Sequence, residues 1–200
     1  MSRLSIFPDE TAANAPDGLV PQLESHDPAV IQAELSCRGI GFEQWPAEQG
    51  LPEGADQATI LQAYAEAIAR VQRDGGYATV DAIRMTPEHP DREPLRRKFL
   101  EEHTHAEDEV RFFVEGCGLF VLHIGSEVLS LLCERGDLVR VPAGTRHWFD
   151  MGAHPRLADG FNGGQGEQGR IAGADPHQCE TPSRGGIDDG QQSMRPGSRR

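Results

Sequence analysis

Residues 98–152 read KFLEEHTHAEDEVRFFVEGCGLFVLHIGSEVLSLLCERGDLVRVPAGTRHWFDMG, and this stretch decides the fold. Over residues 97–150, 22 of 54 side chains are Val, Ile, Leu, Met, Phe, Trp, Tyr or Cys, in short runs broken by turn residues. The runs RFFV (111–114), LFVLHI (119–124), EVLSLLC (127–133), LVRV (138–141) and RHWFDM (146–151) are each too short for a helix and are rich in β-branched and aromatic residues. Between them stand Glu115-Gly116-Cys117-Gly118, Gly125-Ser126, Glu134-Arg135-Gly136-Asp137 and Pro142-Ala143-Gly144. Short strands at this spacing predict an antiparallel sandwich or barrel.

Upstream, residues 1–96 mix helix and strand signals. Residues 4–7 predict an edge strand, and Asp27-Pro28 starts a short helix, with the aspartate as cap and proline at its first position, that Gly39 ends. Ile40, Phe42 and Trp45 continue as an extended segment. Across residues 56–74, Ile60, Leu61, Tyr64, Ala67, Ile68 and Val71 form one helical stripe closed by Gly75-Gly76. Downstream, residues 155–200 hold 10 glycines and six large apolar or cysteine side chains, a composition that buries little and predicts a disordered tail outside the barrel. The organisation expected is one domain over residues 1–154, an α+β layer (1–96) followed by metal-binding barrel strands (97–154), and a separate tail.

The 200-residue chain carries 19 basic and 32 acidic side chains, a net −13. The tail has six of each, so the whole excess lies in residues 1–154. Such a surface repels phosphate backbones and anionic lipid, which argues against nucleic-acid and membrane partners. No apolar run reaches the roughly 18–20 residues that span a bilayer, and no signal-peptide core follows Met1. A cytoplasmic monomer is expected, its cysteines Cys37, Cys117, Cys133 and Cys179 free thiols because none falls in a CxxC pair.

Of eight histidines, three sit in or beside the strand-rich stretch in a pattern with chemical content. His103 and His105 are one residue apart, so a strand's period of two places both imidazoles on one face. Glu109, four positions on, adds an anionic oxygen, and this N/N/O set suits iron, nickel, manganese or zinc. The alternative for these residues is a solvated acidic turn, since Glu101, Glu102, Glu107, Asp108 and Glu115 surround them. In GDLVRVPAGTRH (136–147) a proline-glycine turn precedes His147, and a hairpin there aims this imidazole into the same interior as a fourth ligand. His26, His89, His123, His154 and His177 lack such company and are read as ordinary polar residues.

These two elements, HxH(x)3E(x)6G ending at Gly116 and G(x)5PxG(x)2H ending at His147, resemble the two motifs of the cupin superfamily. Within it, residues 98–124 and 133–152 resemble the acireductone dioxygenase family of methionine salvage. Two positions depart from the cupin pattern: no glycine precedes His103 at the usual place, and Met151 stands where asparagine is usual. The resemblance implies a mainly β, jelly-roll-like cupin barrel behind an α+β N-terminal segment. It implies one Fe(II) per chain, with Ni(II) as the alternative, held by His103, His105, Glu109 and His147, and cleavage of an acireductone by O2. The iron form of that family yields formate and the 2-oxo acid precursor of methionine; the nickel form yields carbon monoxide, formate and a shorter thio acid. An ene-diolate chelates through two oxygens and suits two open positions on such a metal.

Arg111, two residues after Glu109 and on its face in a regular strand, is the candidate catalytic group that would neutralise the substrate dianion; an ion pair with Glu107 or Asp108 is the other reading. Phe99 and Phe149 flank the ligand segments as candidate substrate-binding residues for the methylthio end, with core packing as the other reading. The likeness stops after Gly152, where RLADGFNGGQGEQGR replaces an expected aromatic and aliphatic strand; a natural variant terminus and a shifted reading frame both fit. Two rival functions stand beside the leading one: another cupin oxygenase or isomerase, and a non-catalytic metal-binding cupin.

Overall fold

The computed structural model describes residues 1–9, 20–77, 79–153 and 157–162, the last six as backbone only. Within them the chain runs β1 (Arg3–Pro8), β2 (Leu23–Ser25), α1 (Pro28–Ser36), β3 (Gly41–Gln44), α2 (Gln57–Ala63), α3 (Ala65–Gly75), β4 (Ile83–Met85), α4 (Arg92–Phe99), β5 (Glu109–Ile124), β6 (Glu127–Glu134), β7 (Asp137–Val141), β8 (Arg146–Asp150) and β9 (Leu157–Asn162). All strand pairs are antiparallel, in the order β2-β1-β6-β5-β7-β3, with β8 on β5 and β9 on both β4 and β5. The sheet curls around one interior as a half-barrel. No helix among the described residues is long and apolar enough to cross a membrane.

β5 organises the whole arrangement. RFFV and LFVLHI are not two strands with a turn between them but halves of one 16-residue strand. Its first half pairs with β7 and β9 and its second half with β6 and β8, so the strand passes from one side of the barrel to the other. Gly116, at φ +73°, lets the strand bend where a side chain would be strained. Gly118 is needed for a different reason: a Cβ there would lie 2.2 Å from the Phe149 ring.

Both faces of β5 are buried, which explains its near-continuous apolar run. Val110, Phe112 and Val114 join Trp45, Ile60, Tyr64, Val71 and Leu138 in an outer layer roofed by α2 and α3. Phe113, Phe120 and Leu122 point the other way and meet Leu4, Ile6, Leu129, Leu131, Val139 and Phe149 inside the barrel. Period two separates Val110, Phe112 and Val114 from Phe113; Phe120 and Leu122, of the same parity as Val110, face the interior beyond the bend at Gly116.

Several local expectations hold. The Asp27 carboxylate accepts the Ala29 N–H at the start of α1, and Gly39 takes φ +80° after its end. The predicted helix over 56–74 divides at Tyr64, whose backbone leaves helical geometry (φ −110°, ψ 24°). Tyr64 is buried edge-on against Phe112, and its hydroxyl donates to the Gln49 carbonyl, so tertiary packing overrides a continuous stripe. β1, read as an edge strand, is flanked by β2 and β6.

One further expectation needs correction. The barrel was to end by residue 154, yet β9 (Leu157–Asn162) pairs with Ile83–Met85 and with the first half of β5. The open edge of β5 and β4 recruits this backbone, because unpaired ladder groups outweigh the glycine-rich composition. Residues 163–200, including Cys179 and His177, lie outside the described residues. Cys37 and Cys133 are free thiols as expected.

Candidate metal centre

Residues 101–108 form no regular strand, so period two is not what brings His103 and His105 together. His103 and His147 instead make an isolated antiparallel bridge and exchange both backbone hydrogen bonds, each 3.0 Å. Residues paired in this way carry their side chains on the same face. The Pro142-Ala143-Gly144 turn returns the chain to this bridge, with Gly144 at φ +76° donating its N–H to the His105 carbonyl. The Asp108 carboxylate accepts the Ala143 N–H from the other side. Sequence-distant segments are thereby tied at both ends of the hairpin.

The three imidazoles stack around one point, with ring centroids 4.6 Å (His103 to His147), 4.9 Å (His103 to His105) and 5.2 Å (His105 to His147) apart. One nitrogen from each lies within 4.8 Å of the others. His103 Nδ1 is 2.7 Å from the Glu101 carbonyl and His147 Nδ1 is 2.8 Å from the Thr145 carbonyl. A carbonyl only accepts, so both Nδ1 atoms carry hydrogen and both Nε2 lone pairs are free for a cation. Burial lowers the His103 pKa, which favours the neutral, ligating ring.

Glu109, at the first position of β5, completes the set. Its Oε2 lies 3.0 Å from His147 Nε2 and 3.4 Å from His105 Nε2. The closer pair is off hydrogen-bond geometry, and both of its atoms are buried without a hydrogen-bond partner. Orphaned buried donors and acceptors are costly. A divalent cation placed among them would satisfy both, so the residues fit a metal ion.

Arg111 shares Glu109's face, as its spacing predicts. Its Nε donates to Glu109 Oε1 at 2.5 Å, and both side chains are buried. Burial alone would raise the Glu109 pKa, but the Arg111 guanidinium and the His105 and His147 rings outweigh it and hold the carboxyl well below its ordinary value. The carboxylate stays anionic, with one oxygen on arginine and one turned to the imidazoles. The guanidinium carbon lies 4.8 Å from the Phe149 ring centroid and 5.2 Å from that of Phe120. Phe149 and Phe99 both belong to the interior apolar cluster.

Phe120 escaped the sequence reading, although it packs on His147 at 6.3 Å and on Phe149 at 5.0 Å. A long apolar run on a doubly buried strand does not announce which of its members touches the site. His123 was also passed over. It contacts Asp9 at 3.1 Å and Glu102 at 3.0 Å, carboxylates 114 and 21 residues away, which no local spacing could indicate.

The family model described as "ARD/ARD' family" matches residues 13–158. An acireductone dioxygenase of Synechococcus sp. (strain CC9605) is 92% identical over 157 residues, covering 78% of this chain and 84% of that protein. The chain belongs to the ARD/ARD' family. Its activity is that of an acireductone dioxygenase. A further relative with that name, from Prochlorococcus marinus (strain MIT 9313), is 66% identical over 157 residues, with the same 78% and 84% coverage. Among solved structures, an acireductone dioxygenase from Bacillus anthracis with a cadmium ion in its active center superposes with a TM-score of 0.68. It covers 86% of this chain and 97% of its own at 23% identity, which establishes the cupin fold of ARD/ARD' proteins.

Proposed function

We propose that this chain cleaves its acireductone at a single metal ion held by the Nε2 atoms of His103 and His147, an imidazole nitrogen of His105, and Glu109 Oε2. The observation that carries this reading is the pair of partnerless buried atoms, His147 Nε2 and Glu109 Oε2, facing each other at 3.0 Å where four potential ligands converge. The donor set of three neutral nitrogens and one carboxylate suits Fe(II), with Ni(II) as the alternative. When bound, such an ion would act as a Lewis acid that chelates the ene-diolate and promotes its reaction with O2. By likeness to the family, the products with iron are formate and 4-methylthio-2-oxobutanoate, and with nickel carbon monoxide, formate and 3-methylthiopropanoate.

The protein's own groups do the rest. The carbonyls of Glu101 and Thr145 hold the ring tautomers, and the His103–His147 bridge sets their spacing. Arg111 fixes one oxygen of Glu109 and brings a buried positive charge beside the centre, where a substrate dianion develops and disperses charge. Phe99, Phe149 and Phe120 give the interior an apolar wall that excludes water and accepts the methylthio end. Every proposed ligand comes from one chain, so a monomer suffices.

His105→Ala tests the centre. It removes one ligand from a part-exposed position without opening the core, so bound metal measured by elemental analysis should collapse while circular dichroism stays that of the folded barrel. Full metal occupancy in this variant would refute the ligand set.

A further inference from the structure

Behind the imidazole cluster, the bridge that aligns two of the proposed ligands is gripped by a second set of charged residues. Glu102 immediately precedes His103, and Arg146 immediately precedes His147. Alternation along an extended chain turns both away from the imidazoles, and there they meet: Arg146 donates to Glu102 Oε1 at 3.1 Å. The other carboxylate oxygen, Oε2, lies 3.0 Å from Nδ1 of His123. His123 is the cross-strand partner of Arg146 on β5, and its side chain is only 13% exposed. Its Nε2 contacts Asp9 Oδ2 at 3.1 Å, and Asp9 is itself secured by a 2.9 Å backbone bond to Ser126 in the β5–β6 turn.

The segment bearing His103 is tied to β8 and the turn before it, through the His103–His147 bridge, the Gly144 N–H on the His105 carbonyl and the Ala143 N–H on the Asp108 carboxylate. Residues 101–108 lie in no strand, and their regular pairing to the sheet is the single His103–His147 bridge. These ties all run to one hairpin, whereas Glu102 binds the segment to two adjacent strands, β8 through Arg146 and β5 through His123. We infer that Glu102 is a positioning residue: its clasp on Arg146 and His123 fixes the angle of the His103–His147 bridge and thereby the spacing of the two imidazoles that grip the metal. Exposed ion pairs of this kind add little to global stability. Their effect falls on metal retention, because a ligand that must be reordered each time it binds holds its ion less well.

This inference rests on the metal centre proposed above, and the experiment separates the two. Proteins loaded with Co(II) are challenged with excess chelator, and the release rate and visible d–d spectrum are recorded. Glu102→Ala should release cobalt about tenfold faster than the parent and alter the spectrum. Glu102→Gln, which keeps the shape and an acceptor for Arg146, should restore most of the difference. Glu127→Ala is the control: it breaks a comparable ion pair with Arg38, away from the bridge, and should release cobalt at the parent rate. If Glu102→Ala fails to fold, His123→Ala removes the other end of the clasp and must show the same acceleration. Parent-like release from Glu102→Ala, or equal acceleration in Glu127→Ala, overturns the clasp while leaving the centre intact. A parent-like cobalt spectrum in His105→Ala overturns the centre and the clasp with it.

Discussion

At the residue scale the site depends on one buried carboxylate shared between an arginine and two imidazoles. Glu109 gives Oε1 to Arg111 and turns Oε2 to His105 and His147. Arg111→Met keeps bulk against Phe120 and Phe149 but removes the charge. Turnover should fall on the order of 10² to 10³-fold with metal still stoichiometric at neutral pH. If metal is lost in parallel, Arg111 serves only to hold Glu109. A second residue-scale expectation concerns the wall behind Arg111. An alanine at Gly118 would put its Cβ 2.2 Å and 2.6 Å from two atoms of the Phe149 ring, which is fully enclosed and cannot simply swing away. Gly118→Ala should therefore cost about 1–3 kcal/mol in denaturant unfolding and raise KM through the displaced ring. Unchanged stability would mean that the interior accommodates the methyl group elsewhere.

At the scale of elements, α4 brings Phe99 to the barrel, and its hold on β8 is a two-pronged ion pair. Arg96 Nε and Nη2 donate to the two carboxylate oxygens of Asp150 at 2.7 and 2.9 Å. Burial would raise the Asp150 pKa, but Arg96 and the Gly152 N–H overcome it and leave the carboxyl below its ordinary value. For a lowered carboxylate the stabilisation is in place above the unfolded-state pKa and disappears as the pH falls through the folded-state value. The metal-free Asp150→Asn protein should be less stable than the parent at neutral pH by on the order of 1 kcal/mol. The two unfolding curves should converge below about pH 4. A gap that persists in acid would show that the ion pair is not its source. The same scale explains why β5 is one strand: Gly116 supplies the bend, and two sets of neighbours, β7 with β9 and β6 with β8, share its length.

For the whole molecule, closure of the sheet matters more than the composition of its last strand. β9 covers β4 and the first half of β5, whose registers run Ile83 to Asp159 and Arg111 to Asn162. A chain ending at Ala153 would leave the backbone from Arg111 to Gly116 unpaired on that side, next to the Glu109–Arg111 pair. It should melt several degrees below a chain ending at Asn162 and aggregate more readily through the exposed edge. Equal melting temperatures would show that β9 adds nothing to the barrel.

The sequence by itself determined the strand-rich character of residues 109–150, the Asp27 cap and the identity of the four converging groups, because each has a local signature: apolar runs bounded by glycine, Asp27-Pro28 at a helix start, and the spacings of His103, His105, Glu109 and His147. It also placed Glu109 and Arg111 on one face, since a regular strand has no other choice. Only the tertiary structure decided how those groups meet. His103 meets His147 through a bridge, and His105 is tied by its carbonyl to Gly144, rather than either being set by strand alternation; a bridge depends on a partner 44 residues away that no window contains. Arg111 pairs with Glu109 because both side chains are enclosed together, where a charge must be met by the charge beside it. His123, Asp9 and Glu102 were invisible for the same reason. The sheet likewise took in Leu157–Asn162 despite their glycine-rich surroundings, since an open edge is satisfied by backbone atoms, which every residue but proline supplies in full.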